Sequence, residues 1–116
     1  MAFISALIDK SINQYQAHAN QVFVAGMSNG GFMAIRLAQE LSHKVNSVAA
    51  VAAQMGVNNK PIEIEEPISF LLINGTQDPI VPYYGTEMKP FKFAKSRGLI
   101  LSTQQTLDTF VINLAR

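Results

Sequence analysis

Val22-Phe23-Val24-Ala25-Gly26-Met27-Ser28-Asn29-Gly30-Gly31 joins an apolar run to a segment of helical spacing, and its reading decides the fold. Val22 to Ala25 predicts a short buried strand and Gly30 to Leu41 predicts a helix, so Ser28 falls at the turn between them. A serine set among glycines at a strand-to-helix turn is the sequence form of a nucleophile elbow. The chain must turn sharply there, and Gly26 and Gly30 are expected to supply the room. Ser28 would stand at the C-terminal end of a parallel strand, over a helix N-terminus whose unpaired N–H groups favour negative charge. That is a setting for acyl transfer. The alternative is a glycine-rich turn with no chemistry, but the strand before it and the helix after it favour the elbow. The spacing is neither G-x-G-x-x-G nor a Walker loop, and no lysine follows the glycines.

Outward from this turn the chain alternates between helical and extended patterns. Phe3, Leu7, Ile8, Ile12 and Tyr15 recur at three- and four-residue spacing and predict an amphipathic helix over residues 2–17. Met33, Leu37 and Leu41, with Phe32, Ile35 and Ala38 nearby, predict that the helix after the turn is buried on more than one side. Ser47 to Ala52 reads as a second strand, its small residues suiting a central place with helices close on both faces. Ile68 to Ile73 reads as a third, and Glu63, Glu65 and Glu66 before it as the solvated edge of a loop. Gly75, Pro79, Pro82, Gly85 and Pro90 mark residues 75–98 as loop. Ser102-Thr103-Gln104-Gln105 is a capping-box pattern opening a last helix, with Leu107, Phe110, Val111 and Leu114 as its apolar stripe. Strands of this kind joined by crossovers make an α/β fold with a parallel sheet, whose functional groups collect at the C-terminal strand ends.

Composition removes several function classes. The chain has 116 residues, 48% of them apolar, a net charge of +1, two histidines and no cysteine. Charges are dispersed, so neither nucleic acid nor a membrane surface is an expected partner. No disulfide, thiolate nucleophile or cysteine zinc site is available, and the isolated histidines give no metal-ligand pattern. No metal or other cofactor is expected. No apolar run approaches a membrane span, and the N-terminus lacks the basic region of a signal peptide.

Asn74-Gly75-Thr76-Gln77-Asp78-Pro79 directly follows the third strand. A carboxylate on a tight turn there can orient an imidazole and stabilise its protonated form, the task of a triad acid. It can equally cap local backbone N–H groups of an Asp-Pro turn. Ser28 fifty residues upstream favours the acid, in the order nucleophile then acid. Asp9 and Asp108 sit on helix faces and read as solvent-facing. His18 and His43 both fall at the opposite end of the sheet from Ser28, and neither suits the part of base.

Ala2 to Lys10, Gly26-Met27-Ser28-Asn29-Gly30-Gly31, Asn74-Gly75-Thr76 with Asp78, Val81-Pro82-Tyr83, and Arg97-Gly98 with Leu101-Ser102 together resemble the polyhydroxybutyrate depolymerase and feruloyl esterase family of α/β hydrolases. The resemblance covers nearly the whole chain. It implies an incomplete α/β-hydrolase fold of three parallel strands with flanking helices, residues 1–116 forming a partial catalytic domain without the upstream strands and the triad histidine. It further implies a secreted, extracellular type of serine esterase acting on hydroxyalkanoate polyesters or small aryl carboxylic esters. Ser28 carries over as nucleophile, Asp78 as acid and the Asn29 backbone N–H as oxyanion donor, with Met27, Gln54 and Tyr83 close to substrate. Tyr84-Gly85-Thr86 departs from the family's usual glycine pair. Little activity is expected of the chain alone, and an unpaired apolar sheet edge invites self-association. A prolyl-oligopeptidase-like peptidase shares the glycine-serine and Asp78 turns, and a non-catalytic remnant of the hydrolase scaffold is the reading outside enzymes.

Overall fold

The computed structural model describes residues 1–57, 64–87 and 98–114, the side chains of 112–114 excepted. Glu63, Pro90 and Arg97, singled out above, lie outside the described residues.

Helix α1 (Ala2–Tyr15) is followed by β1 (Phe23–Met27), α2 (Asn29–Glu40), β2 (Ser47–Val51) and β3 (Ser69–Ile73). Strands β1, β2 and β3 form a parallel sheet in that order, with Met27, Val51 and Ile73 aligned at its C-terminal end. The small-residue strand is therefore the central one, as its composition predicts. The architecture is α/β, three parallel strands flanked by helices.

The core lies between the sheet and α2. Ala34, Ile35, Leu37, Ala38 and Leu41 fall at helical spacing and pack with Val48 and Ala50 of β2. Alanines on both sides of this contact let helix and strand backbones approach closely, while Ile35 and Leu37 supply the apolar area, ~1.5–3 kcal/mol for each side chain fully buried. Helix α3 (Thr103–Leu114) joins the same cluster through Phe110, whose ring stacks on Phe70 of β3 at 4.0 Å between centroids. Met1, Ile4 and Ile8 bring α1 against it too, and Lys44 Nζ fastens that helix by reaching Ser5 Oγ and both oxygens of Asp9.

Only one face of the sheet is covered among the described residues. Alternate positions turn Phe23, Met27, Leu71 and Ile73 to the other face, where each is more than half exposed. This corrects the expectation of helices on both sides. The periodicity of α2 is corrected likewise: Met33 points to solvent, and the buried stripe runs through Ala34, Leu37, Ala38 and Leu41.

The boundaries shift for local reasons. Gln16 adopts a left-handed φ of 57° and returns its N–H to Ser11, so α1 ends at Tyr15. The stretch read as loop also holds β4 (Thr86–Glu87), which pairs antiparallel with β5 (Leu99–Ile100) just beyond its end. Leu101 N–H donates to Met55 O at 2.8 Å and Val57 N–H to Leu99 O at 3.0 Å, so the segment leaving β2 runs alongside this pair. No helix among the described residues is long and apolar enough to cross a membrane.

Candidate active site

Ser28 occupies the single position between the end of β1 and the start of α2. Its φ of 52° and ψ of −117° lie outside the regions that L-residues ordinarily occupy. Such a conformation costs on the order of 1–3 kcal/mol and needs surrounding structure to enforce it. The enforcement is visible. Ser28 N–H donates to Val51 O of β2 at 2.8 Å, and Ser28 C=O accepts from Phe32 N–H at 3.0 Å, beginning the ladder of α2. A Cβ on Gly26 would overlap the Gly30 carbonyl, and one on Gly31 would stand 2.7 Å from Ala53 Cβ and 3.0 Å from Val51 O. A Cβ on Gly30 would meet open space. The glycines that the turn requires for room are therefore Gly26 and Gly31, a correction to the pairing of Gly26 with Gly30. The sequence does not show this because the crowding at Gly31 comes from Val51 and Ala53, at and just past the end of β2 and remote in the chain.

Ser28 is exposed and its hydroxyl makes no capping bond to α2. The neighbouring Asn29 begins α2, so its N–H belongs to the first turn, which has no intrahelical acceptor.

Asp78 lies on the loop that follows β3, the strand two places from β1 in the sheet. Its Oδ1 accepts from the N–H groups of Ile80 and Val81, both at 2.9 Å. The local capping role and the carboxylate's place at the strand end thus coexist, since Oδ2 is not engaged by either bond. Asn74, at the entry to the loop, pairs with both backbone groups of Ala53, accepting at 3.1 Å and donating at 2.9 Å. It also donates to Thr103 Oγ1 at 3.0 Å. An asparagine side chain here stands in for one more rung of the β2–β3 ladder. Ala52, between Val51 and Ala53, takes a left-handed φ of 53°, and its N–H donates to Ile73 O at 2.9 Å.

The residues assigned to the substrate separate. Met27, the last residue of β1, is exposed on the open sheet face. Tyr83 is half-buried with its ring edge-on to Tyr84, 5.2 Å between centroids. Gln54 is 0% exposed, and its amide is spent on backbone carbonyls of residues 82, 83 and 101. It offers no surface to a ligand, which corrects its expected place. The bonding of Asn74 and Gln54 left no motif, because its partners come from three separate parts of the chain.

His18 follows α1 and precedes β1, and His43 precedes β2, with its Nδ1 3.8 Å from Glu65 Oε2. Strands of five residues, roughly 16 Å long, separate that end of the sheet from Ser28. These are the chain's two histidines, and neither is brought to Ser28. No group of acidic and histidine side chains suited to a metal ion occurs among the described residues.

A serine thus stands on a strained strand-to-helix turn at the C-terminal edge of a parallel sheet, with a carboxylate on the loop after the strand two places away. Residues 1–99 match the Phospholipase/Carboxylesterase family of α/β hydrolases, and the chain belongs to that family. It is 33% identical over 88 residues to a Nocardia uniformis subsp. tsuyamanensis protein named "Putative esterase NocK". That match takes in 76% of this chain and 26% of the relative, so the chain spans about a quarter of the relative's length. No solved structure matches the chain significantly.

Proposed function

We propose that this chain supplies the nucleophile and the acid of a serine carboxylesterase, the imidazole base coming from a separate segment or molecule. The observation that carries this reading is the backbone of Ser28, φ 52° and ψ −117°, at a turn built around Gly26 and Gly31. Strain of that kind aims the hydroxyl outward from the strand end, as a nucleophile elbow does.

The chemistry follows from the groups present. A base takes the Ser28 hydroxyl proton as Oγ adds to the ester carbonyl carbon, and the carbonyl π pair moves onto oxygen. In this reading the Asn29 N–H, in the first turn of α2, donates to that oxyanion. Asp78 contributes a carboxylate whose Oδ1 is already held by two N–H groups, leaving Oδ2 for an imidazole N–H. Collapse of the adduct expels the alcohol, which takes the proton from the imidazolium, and water then removes the acyl group from Ser28 by the same steps. The resemblance to polyhydroxybutyrate depolymerases and feruloyl esterases gives the finer substrate class, hydroxyalkanoate polyesters or aryl carboxylic esters. The match to the carboxylesterase family supports ester over peptide bonds.

The test is hydrolysis of p-nitrophenyl butyrate by the 116-residue chain with graded amounts of added imidazole. The expected result is little turnover without imidazole and a saturable gain with it, above imidazole's own background and absent from Ser28→Ala. Equal rates for the two proteins at every imidazole concentration would remove this reading.

A further inference from the structure

The segment leaving β2 touches both turns. Val51 O holds the Ser28 N–H, and three residues later Gln54 reaches under the far end of the Asp78 loop. Gln54 Nε2 lies 2.8 Å from Pro82 O, 2.8 Å from Leu101 O and 3.3 Å from Tyr83 O. Three carbonyls around one nitrogen fix the orientation of the amide, because the flipped form would set oxygen against oxygen. Residues 76–81 make only bonds within their own turn: Asp78 N–H to Gly75 O, and the N–H groups of Ile80 and Val81 to Asp78 Oδ1. That turn is consequently held by its ends. Asn74 fixes the entry through Ala53 and Thr103. Gln54 fixes the exit at Pro82, the residue after Val81, and the Thr103 N–H holds Tyr83 O at 2.9 Å one residue further on.

We propose that Gln54 is a positioning residue for the acid: it pins the backbone that seats Asp78 to the same strand exit that holds the Ser28 N–H, and so sets nucleophile and carboxylate in one frame. The inference rests on the reading of Ser28 and Asp78 as nucleophile and acid. Gln54 works through backbone and contacts neither reacting atom nor substrate. A hydrophobic side chain of similar length would fill the space but take both amide protons away from the part-buried carbonyls of residues 82, 83 and 101, and Pro82 would lose its tie to the β2 exit.

The variant to make is Gln54→Met, which conserves length and removes both donated protons. Amide hydrogen exchange on the 116-residue chain is the first readout. Exchange at Ile80 and Val81 is expected to quicken about 10-fold while the amides of α2 keep their rates. Exchange at 80 and 81 that stays level with α2 overturns the proposal. The second readout is imidazole-assisted ester hydrolysis, in which kcat is expected to fall about 10-fold with KM unchanged. In an Asp78→Ala background the same substitution is expected to have no further effect, whereas a general loss of packing would lower both backgrounds alike. Faster exchange with an unaltered kcat overturns the positioning role and leaves the esterase reading standing. A wild-type chain with no Ser28-dependent hydrolysis removes the esterase reading and this proposal with it, and Gln54 is then a folding strut only. If Gln54→Met fails to fold, Gln54→Asn, which keeps the amide one methylene short of the carbonyls, gives the same comparison.

Discussion

The two turns at the C-terminal end of the sheet are held by different physics. The Ser28 turn is held by crowding: Gly26 against the Gly30 carbonyl, Gly31 against Ala53, with backbone bonds at Ser28 itself. The Asp78 loop is held by side-chain amides, Asn74 at its entry and Gln54 at its exit. The steric part at Gly26 is written in adjacent residues, Gly26 against Gly30, while the part at Gly31 depends on Val51 and Ala53. A loop held by amides is written across residues 53, 54, 74 and 103, which share no motif. The first admits almost no substitution and the second yields by degrees.

Substitutions can break or sharpen that contrast. Gly26→Ala should have the largest effect, because its new Cβ would meet backbone atoms that cannot rotate away. A loss of ~3 kcal/mol or more is expected in urea unfolding. A loss below that of the Asn74 variant would show that crowding does not hold the Ser28 turn. Asn74→Ala should come next, at about 2 kcal/mol, since it strands both backbone groups of Ala53. Its midpoint should shift with an unchanged dependence on urea concentration. Ser102→Ala removes one half of the reciprocal pair that starts α3, where Ser102 Oγ accepts the Gln105 N–H and Gln105 Oε1 accepts the Ser102 N–H. That cap is worth about 1 kcal/mol, measurable as a lower unfolding midpoint. Gly30→Ala is the smallest and has the opposite sign. With open space for its Cβ and a helical position, it should stabilise α2 by roughly 0.5 kcal/mol. If Gly30→Ala and Gly26→Ala destabilise alike, the division of labour among the glycines is wrong.

The same division explains what could be read from sequence. Alternation of apolar runs with helical spacing places all three long strands and all three helices within a few residues of their bounds, because each element's own side chains set its period. Ser28 and Asp78 are visible because the chain order puts both at strand ends. The capping box at Ser102 is legible for the same reason, as its two partners are three residues apart. Gln54 was misplaced because burial of a glutamine depends on carbonyls from two later segments. The β4–β5 pair escaped notice since two-residue strands have no periodicity to detect. Small residues in β2 signal close packing but not on how many faces, and the open face of Phe23, Met27, Leu71 and Ile73 is set by where the helices pack.

Parallel order also fixes a sequence of events. The β1–α2–β2 unit needs only residues 23–51 to close, and it contains the Ser28 turn with its bond to Val51. The Gln54 bonds at the exit of the Asp78 loop need Leu101, 47 residues further on, against 23 residues from Ser28 to Val51. Closing the longer span costs more chain entropy and offers no bond until it is complete. The serine turn therefore assembles first during refolding and serves as the template against which the carboxylate loop docks. Pulse-labelled exchange should find the Ser28 and Phe32 amides protected before those of Met55 and Leu101, whose acceptors are Thr106 Oγ1 and Met55 O.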